Sequence, residues 1–88
     1  ETPSEADNPV SVYPAAGMIN IIARNSLWDG RNGSVKVIDL TGKCIAETGD
    51  AWFSTNSLFQ IKAPAAKGIY IVDLRSGSLK HTARLIIM

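Results

Sequence analysis

Gly68-Ile69-Tyr70-Ile71-Val72-Asp73-Leu74, then Arg75-Ser76-Gly77-Ser78, then Leu79-Lys80-His81-Thr82-Ala83-Arg84-Leu85-Ile86-Ile87, decide the fold of this sequence. The first run is rich in β-branched and aromatic residues. Strand alternation puts Tyr70, Val72 and Leu74 on one side and Ile69, Ile71 and Asp73 on the other. A carboxylate belongs in water, so the side holding Tyr70, Val72 and Leu74 is expected to face the core. The middle stretch is hairpin chemistry, with Gly77 free to take positive φ. In the last run the same counting sends Leu85 and Ile87 inward with His81, and Arg84 outward.

The rest of the chain repeats this texture. Further β-rich runs stand at residues 10–13, 18–23, 34–40, 43–48 and 58–62, with a short piece at Trp52-Phe53. Leu40-Thr41-Gly42-Lys43 suits a second tight hairpin. Asp29-Gly30-Arg31-Asn32-Gly33 reads as a longer loop, and Gly49-Asp50 opens another. Ile19 and Ile21 are expected inside with Asn20 outside, and Val35 and Val37 inside with Lys36 outside. Ile38 and Ile71 then fall on outer faces, where a contiguous apolar patch would be a docking face. Ala63-Pro64-Ala65-Ala66-Lys67 allows no more than a helical turn before Gly68. Short strands between turn signals predict an all-β sandwich of about seven antiparallel strands over residues 9–88. Residues 1–8 are polar and acidic and read as a linker.

Composition limits the function. At 88 residues the chain is one domain, burying roughly 60–65% of the surface its unfolded form exposes. It is 45% hydrophobic and 19% charged, which is globular rather than disordered. A net charge of +1 makes no case for nucleic acid. The apolar terminal stretch is far too short to span a bilayer. The chain begins at Glu1 without a signal peptide, so it reads as a piece of a longer protein. Cys44 stands alone and forms no internal disulfide. His81 is the one histidine, so a multi-ligand zinc site is hard to build. A Cys44–His81 dyad lacks an orienting third group nearby, and both residues read as packing. Paired carboxylates, metal-ligand spacing and a phosphate loop are missing, so neither an enzyme nor a cofactor is expected.

Three phrases stand in order along the chain. The first is Asn8-Pro9-Val10-Ser11-Val12-Tyr13-Pro14 followed by Gly17-Met18-Ile19-Asn20-Ile21. The second is Val35-Lys36-Val37-Ile38-Asp39-Leu40-Thr41-Gly42-Lys43. The third is Lys67-Gly68-Ile69-Tyr70-Ile71-Val72-Asp73-Leu74, closed by Arg84-Leu85-Ile86-Ile87. This order resembles the C-terminal sorting domain of the type IX secretion system (the type A signal of the Por secretion system). Ala15-Ala16 stand where the family usually shows Asn-Pro, Ile38 replaces an aromatic, and Met88 stands where a terminal Lys is common.

The resemblance implies an immunoglobulin-like β-sandwich that addresses its parent protein to the outer-membrane translocon. The parent would cross the periplasm and finish on the outer-membrane surface or outside the cell. A sortase complex would cut cargo in the linker, residues 1–8, and join the new end to anionic lipopolysaccharide. Arg84, Leu85, Ile86, Ile87 and Met88 are the residues expected to be read by the machinery. Gly42, Gly68, Tyr70 and Gly77 are the structural signature. Leu85 and Ile87 point inward, so the readable atoms are the strand backbone, Arg84, Ile86 and the end at Met88. A last strand at a sheet edge could be read by strand addition, and two isolated copies could pair there as a dimer.

A second reading comes from another class. Trp28 and Trp52 sit in polar, glycine-flanked segments and could hold a glycan or protein partner, with Asp29, Asn32 or Asp50 as hydrogen-bonding neighbours. This retained β-sandwich module of a surface or machinery protein requires both tryptophans exposed at one end of the domain. Arg75, Lys80 and Arg84 form a basic stripe that would suit an acidic translocon surface or anionic polysaccharide.

Overall fold

The computed structural model describes residues 9–88, and the linker expected over residues 1–8 lies outside them. Seven strands follow in order: β1 (Val10–Ala15), β2 (Met18–Ala23), β3 (Arg31–Asp39), β4 (Cys44–Phe53), β5 (Phe59–Lys62), β6 (Gly68–Ser76) and β7 (Leu79–Ile87). They form a three-stranded sheet, β1-β2-β5, and a four-stranded sheet, β4-β3-β6-β7. Every recorded pairing is antiparallel. No helix occurs among the described residues. The two inner faces close an all-β sandwich over one core, as the alternation requires.

The expected inner faces are the observed ones. Ile19, Ile21, Val35, Val37, Val72 and Leu74 have no exposed surface, and Tyr70 and Leu85 are nearly as buried. Each such aliphatic side chain contributes about 1.5–3 kcal/mol by leaving water. Phe53 is fully buried, and Trp28 meets it edge-on with ring centroids 5.3 Å apart. That pair closes the end of the sandwich away from the β3–β4 turn.

Three expectations fail. Gly49-Asp50 does not open a loop. β3 starts earlier than its residues suggest, and Arg31, Asn32 and Gly33 pair with Phe53, Trp52 and Ala51. Gly49 and Asp50 then face Ser34 as a bulge, two residues against one. Asn20 is on the outer side of β2 yet is buried. Its carboxamide oxygen accepts from Gln60 Nε2 at 2.6 Å, and its Nδ2 lies 3.4 Å from the carbonyls of Tyr13, Ala15 and Met18. Asp73 is also outward but buried, because the Arg75 guanidinium pairs with it at 3.3 Å. Its Oδ1 has no hydrogen-bond partner.

Gly33 allows the core to close. A Cβ there would fall 2.1 Å from the Arg75 carbonyl oxygen and 2.6 Å from Phe53 Cε2. The carbonyl belongs to the neighbouring strand and cannot swing aside. Gly33→Ala is therefore expected to lower the melting temperature by more than about 10 °C. Gly49→Ala, with nothing within 4 Å of the added carbon, should leave it within a few degrees. Circular dichroism melts of the two variants check this.

Candidate recognition site

The β6–β7 hairpin positions the terminal residues. Its turn is Gly77-Ser78, with Gly77 at φ 59°. Glycine at the first central position marks a two-residue type II′ turn, whose twist matches the flanking strands. Ser76 and Leu79 flank the turn and form a hydrogen-bonded pair. Bonded and non-bonded pairs alternate along an antiparallel ladder. Lys80, Thr82, Arg84 and Ile86 therefore aim their N–H and C=O groups away from β6.

β7 is an edge of the four-stranded sheet, and the other three edges are protected differently. β4 carries two bulges, at Gly49-Asp50 and at Ile45. β5 is only four residues long. β1 contains Pro14, whose missing N–H falls at a non-bonded pair with Ile19 and so removes no ladder bond. β7 pairs with β6 over nine residues without a register shift and holds no proline. It approaches β1 of the facing sheet, but no ladder joins them among the described residues.

The residues picked from sequence separate between two poles. At one, Leu85 stands opposite Tyr70 and Ile87 opposite Gly68. Leu85 is buried, Ile87 is half-buried, and Arg84 is exposed. Ile86 is 54% exposed and Met88 95%. Tyr70 donates its hydroxyl to the Ala66 carbonyl at 2.7 Å, which ties the β5–β6 connection to this pole. Gly42 lies in the β3–β4 turn at the same pole, since Asp39 pairs with Tyr70. Asp39 Oδ1 accepts from the amides of Thr41 and Lys43 at 2.9 and 3.1 Å. The Thr41 hydroxyl, followed by the Lys43 amide, holds the Asp39 carboxyl below the usual aspartate range. Gly77 is at the other pole.

An apolar patch covers the outer face at the carboxyl pole. Ile38 pairs with Ile71, and Ile69 with Ile86. Leu40 and Ile45 extend it, both exposed. The outer apolar residues expected from sequence are thus neighbours in the sheet, Ile38 beside Ile71 and Ile69 beside Ile86. The basic stripe is only partly available. Lys80 and Arg84 are exposed on β7, but Arg75 is engaged with Asp73.

The tryptophans do not form a platform. Trp28 is only 2% exposed, whereas Trp52 is 47% exposed on β4 beside Asn32. Trp28 thus offers no face to a glycan or partner. Asp29 is occupied too, accepting from the Thr55 amide at 2.8 Å and joining two loops. Cys44 and His81 lie on the opposite edge strands β4 and β7, with β3 and β6 between them. Three strand spacings, about 14 Å, rule out a dyad. No cluster of metal-ligating side chains occurs among the described residues.

Sequence reasoning did not find the edge protection or the Asp39 clamp. Only Pro14 gave a local sign of the first.

Residues 11–88 match the family model described as the secretion system C-terminal sorting domain. No curated protein matches the chain. Among solved structures, the chain is similar to the crystal structure of a DUF3244 family protein with an immunoglobulin-like β-sandwich fold from Bacteroides vulgatus. The TM-score is 0.68 at 13% identity, covering 100% of this chain and 93% of that one. At that identity the likeness bears on the fold alone.

Two measurements check this geometry. Trp52→Phe should leave a blue-shifted emission that acrylamide quenches poorly, since only Trp28 remains. His81 is held below its ordinary value by burial. The unfolded imidazole therefore takes its proton at higher pH than the folded one. Stability is full above about pH 6.5 and falls as pH drops through the interval between the two values. His81→Gln should flatten that part of a urea-stability profile against pH.

Proposed function

The chain belongs to the secretion system C-terminal sorting domain family, and from that premise we propose that it is the export address of a larger protein, read by the type IX translocon at its carboxyl pole. Membership implies interaction with the secretion machinery and export toward the cell surface or beyond. The domain acts by being bound rather than by chemistry of its own. The observation that carries this reading is the open edge of β7. Strand addition there uses backbone groups of Lys80, Thr82, Arg84 and Ile86, with Arg84, the Ile86 side chain and Met88 as the exposed features that distinguish this end. Leu85 and Ile87 hold the strand against the core, Gly42, Gly68 and Tyr70 keep the pole in shape, and Gly77 sets the register of β7 from the other pole.

In the same scheme the parent crosses the periplasm before this domain is recognised. The sortase complex cuts within residues 1–8 and joins the new end to anionic lipopolysaccharide. Val10 is the first core residue, so a cut there takes nothing from the described core.

The test is an export assay. Residues 1–88 are fused behind a signal peptide and a reporter in a bacterium that has the pathway. Export is expected, and deletion of residues 84–88 should abolish it. The mass of the exported reporter tells whether the domain is cut or kept. Ile86→Pro removes an outward N–H while leaving the β6 ladder intact. It should block export, whereas Ile86→Ala should only weaken it, with both variants melting within a few degrees of each other. Full export of the truncated chain or of Ile86→Pro would overturn the proposal.

A further inference from the structure

The end of β7 also closes a hollow of about 530 Å³, within the range of ligand sites. Three segments distant in sequence wall it: residues 14–18, 62–65 and 86–88. One side is stiff. Pro14 and Pro64 have fixed φ, and Ala15, Ala16, Gly17, Ala63 and Ala65 have no side chain that could swing in to fill the space. The Ala63 amide donates to the Gly17 carbonyl at 3.0 Å and locks the two segments together. Ala16 is held at φ 55°, the left-handed region, at a strain of about 1–2 kcal/mol. Ala16 and Gly17 are the two central residues of the β1–β2 hairpin turn, which requires positive φ at both. The other side is adaptable, built from Met18, Ile86, Ile87 and Met88. Lys62 is the one charged side chain in the lining, and it has no ion pair among the described residues.

We infer that this hollow receives an extended segment of the export machinery, which seats an aliphatic side chain among Met18, Ala63 and Ile87 and sets a neighbouring carboxylate against Lys62. The inference rests on the reading of β7 as the recognised strand. A strand added along Lys80 to Ile86 runs off the end of β7 directly over the hollow, so edge and hollow form one continuous surface. The apolar lining selects the side chain, and the single cation selects the charge beside it. The sorting reading alone requires neither.

Two peptides test it: N-acetyl-Glu-Leu-Val-amide and N-acetyl-Lys-Leu-Val-amide, titrated into the isotope-labelled chain with its amide spectrum as the record of folding. The expected result is shifts confined to residues 15–18, 62–65 and 86–88. The glutamyl peptide should bind about threefold more tightly. Lys62→Glu should reverse that order. Shifts elsewhere, or no preference between the peptides, would overturn the inference. In the export assay, Ala65→Trp plugs the hollow from an exposed lining position and should reduce export. Full export of Ala65→Trp, with export lost on deletion of residues 84–88, would overturn the hollow and leave the sorting reading standing. Unchanged export after that deletion would overturn both.

Discussion

The uninterrupted ladder between β6 and β7 sets the geometry on which the rest depends. Side chains on a strand alternate with a period of two, so a slip of one residue would turn Leu85 outward and Arg84 inward. The two-residue turn at Gly77-Ser78 fixes the register at one end, and Gly68 opposite Ile87 ends it at the other. Tyr70, Val72, Leu74 and Leu85 enter the core together because that register holds. The same register sends Ile69 and Ile86 to the outer face as neighbours and leaves four residues of β7 with outward backbone groups.

A sandwich of two small sheets has four edges, and this one treats them unequally. Bulges, a proline and shortness blunt three of them. The fourth is long and regular, and it leads to the most exposed of the large hydrophobic side chains among the described residues, Met88. An open edge is ordinarily a liability for aggregation. In a secretion system C-terminal sorting domain, it is the edge we propose the machinery reads.

Much of this was legible before the structure. The seven β-rich runs correspond to the seven strands, and the inner faces of β2, β3, β6 and β7 followed from counting by twos. The hairpins at Gly42 and Gly77 followed from positive-φ chemistry. The failures share a cause, which is that side-chain environment is set by strands far away in sequence. Gly49-Asp50 is composed like a turn, and only the early start of β3 makes it a bulge. Asn20 and Asp73 are polar and lie on outer faces, yet Gln60 and Arg75 cover them. Trp28 and Trp52 have similar sequence surroundings, and only the Phe53 ring tells them apart. The hollow had no local sign at all, because its walls come from three separate segments.

β7 approaches β1 of the facing sheet, so the first and last strands of the domain meet across the sandwich. Contacts of such large sequence separation carry a high entropy of chain closure, which the nearer pairings reduce. The hollow is incomplete until both ends have arrived. A chain missing either end strand lacks the finished pole. On the proposed reading, the surface is therefore a report on completion, present only once this domain is whole.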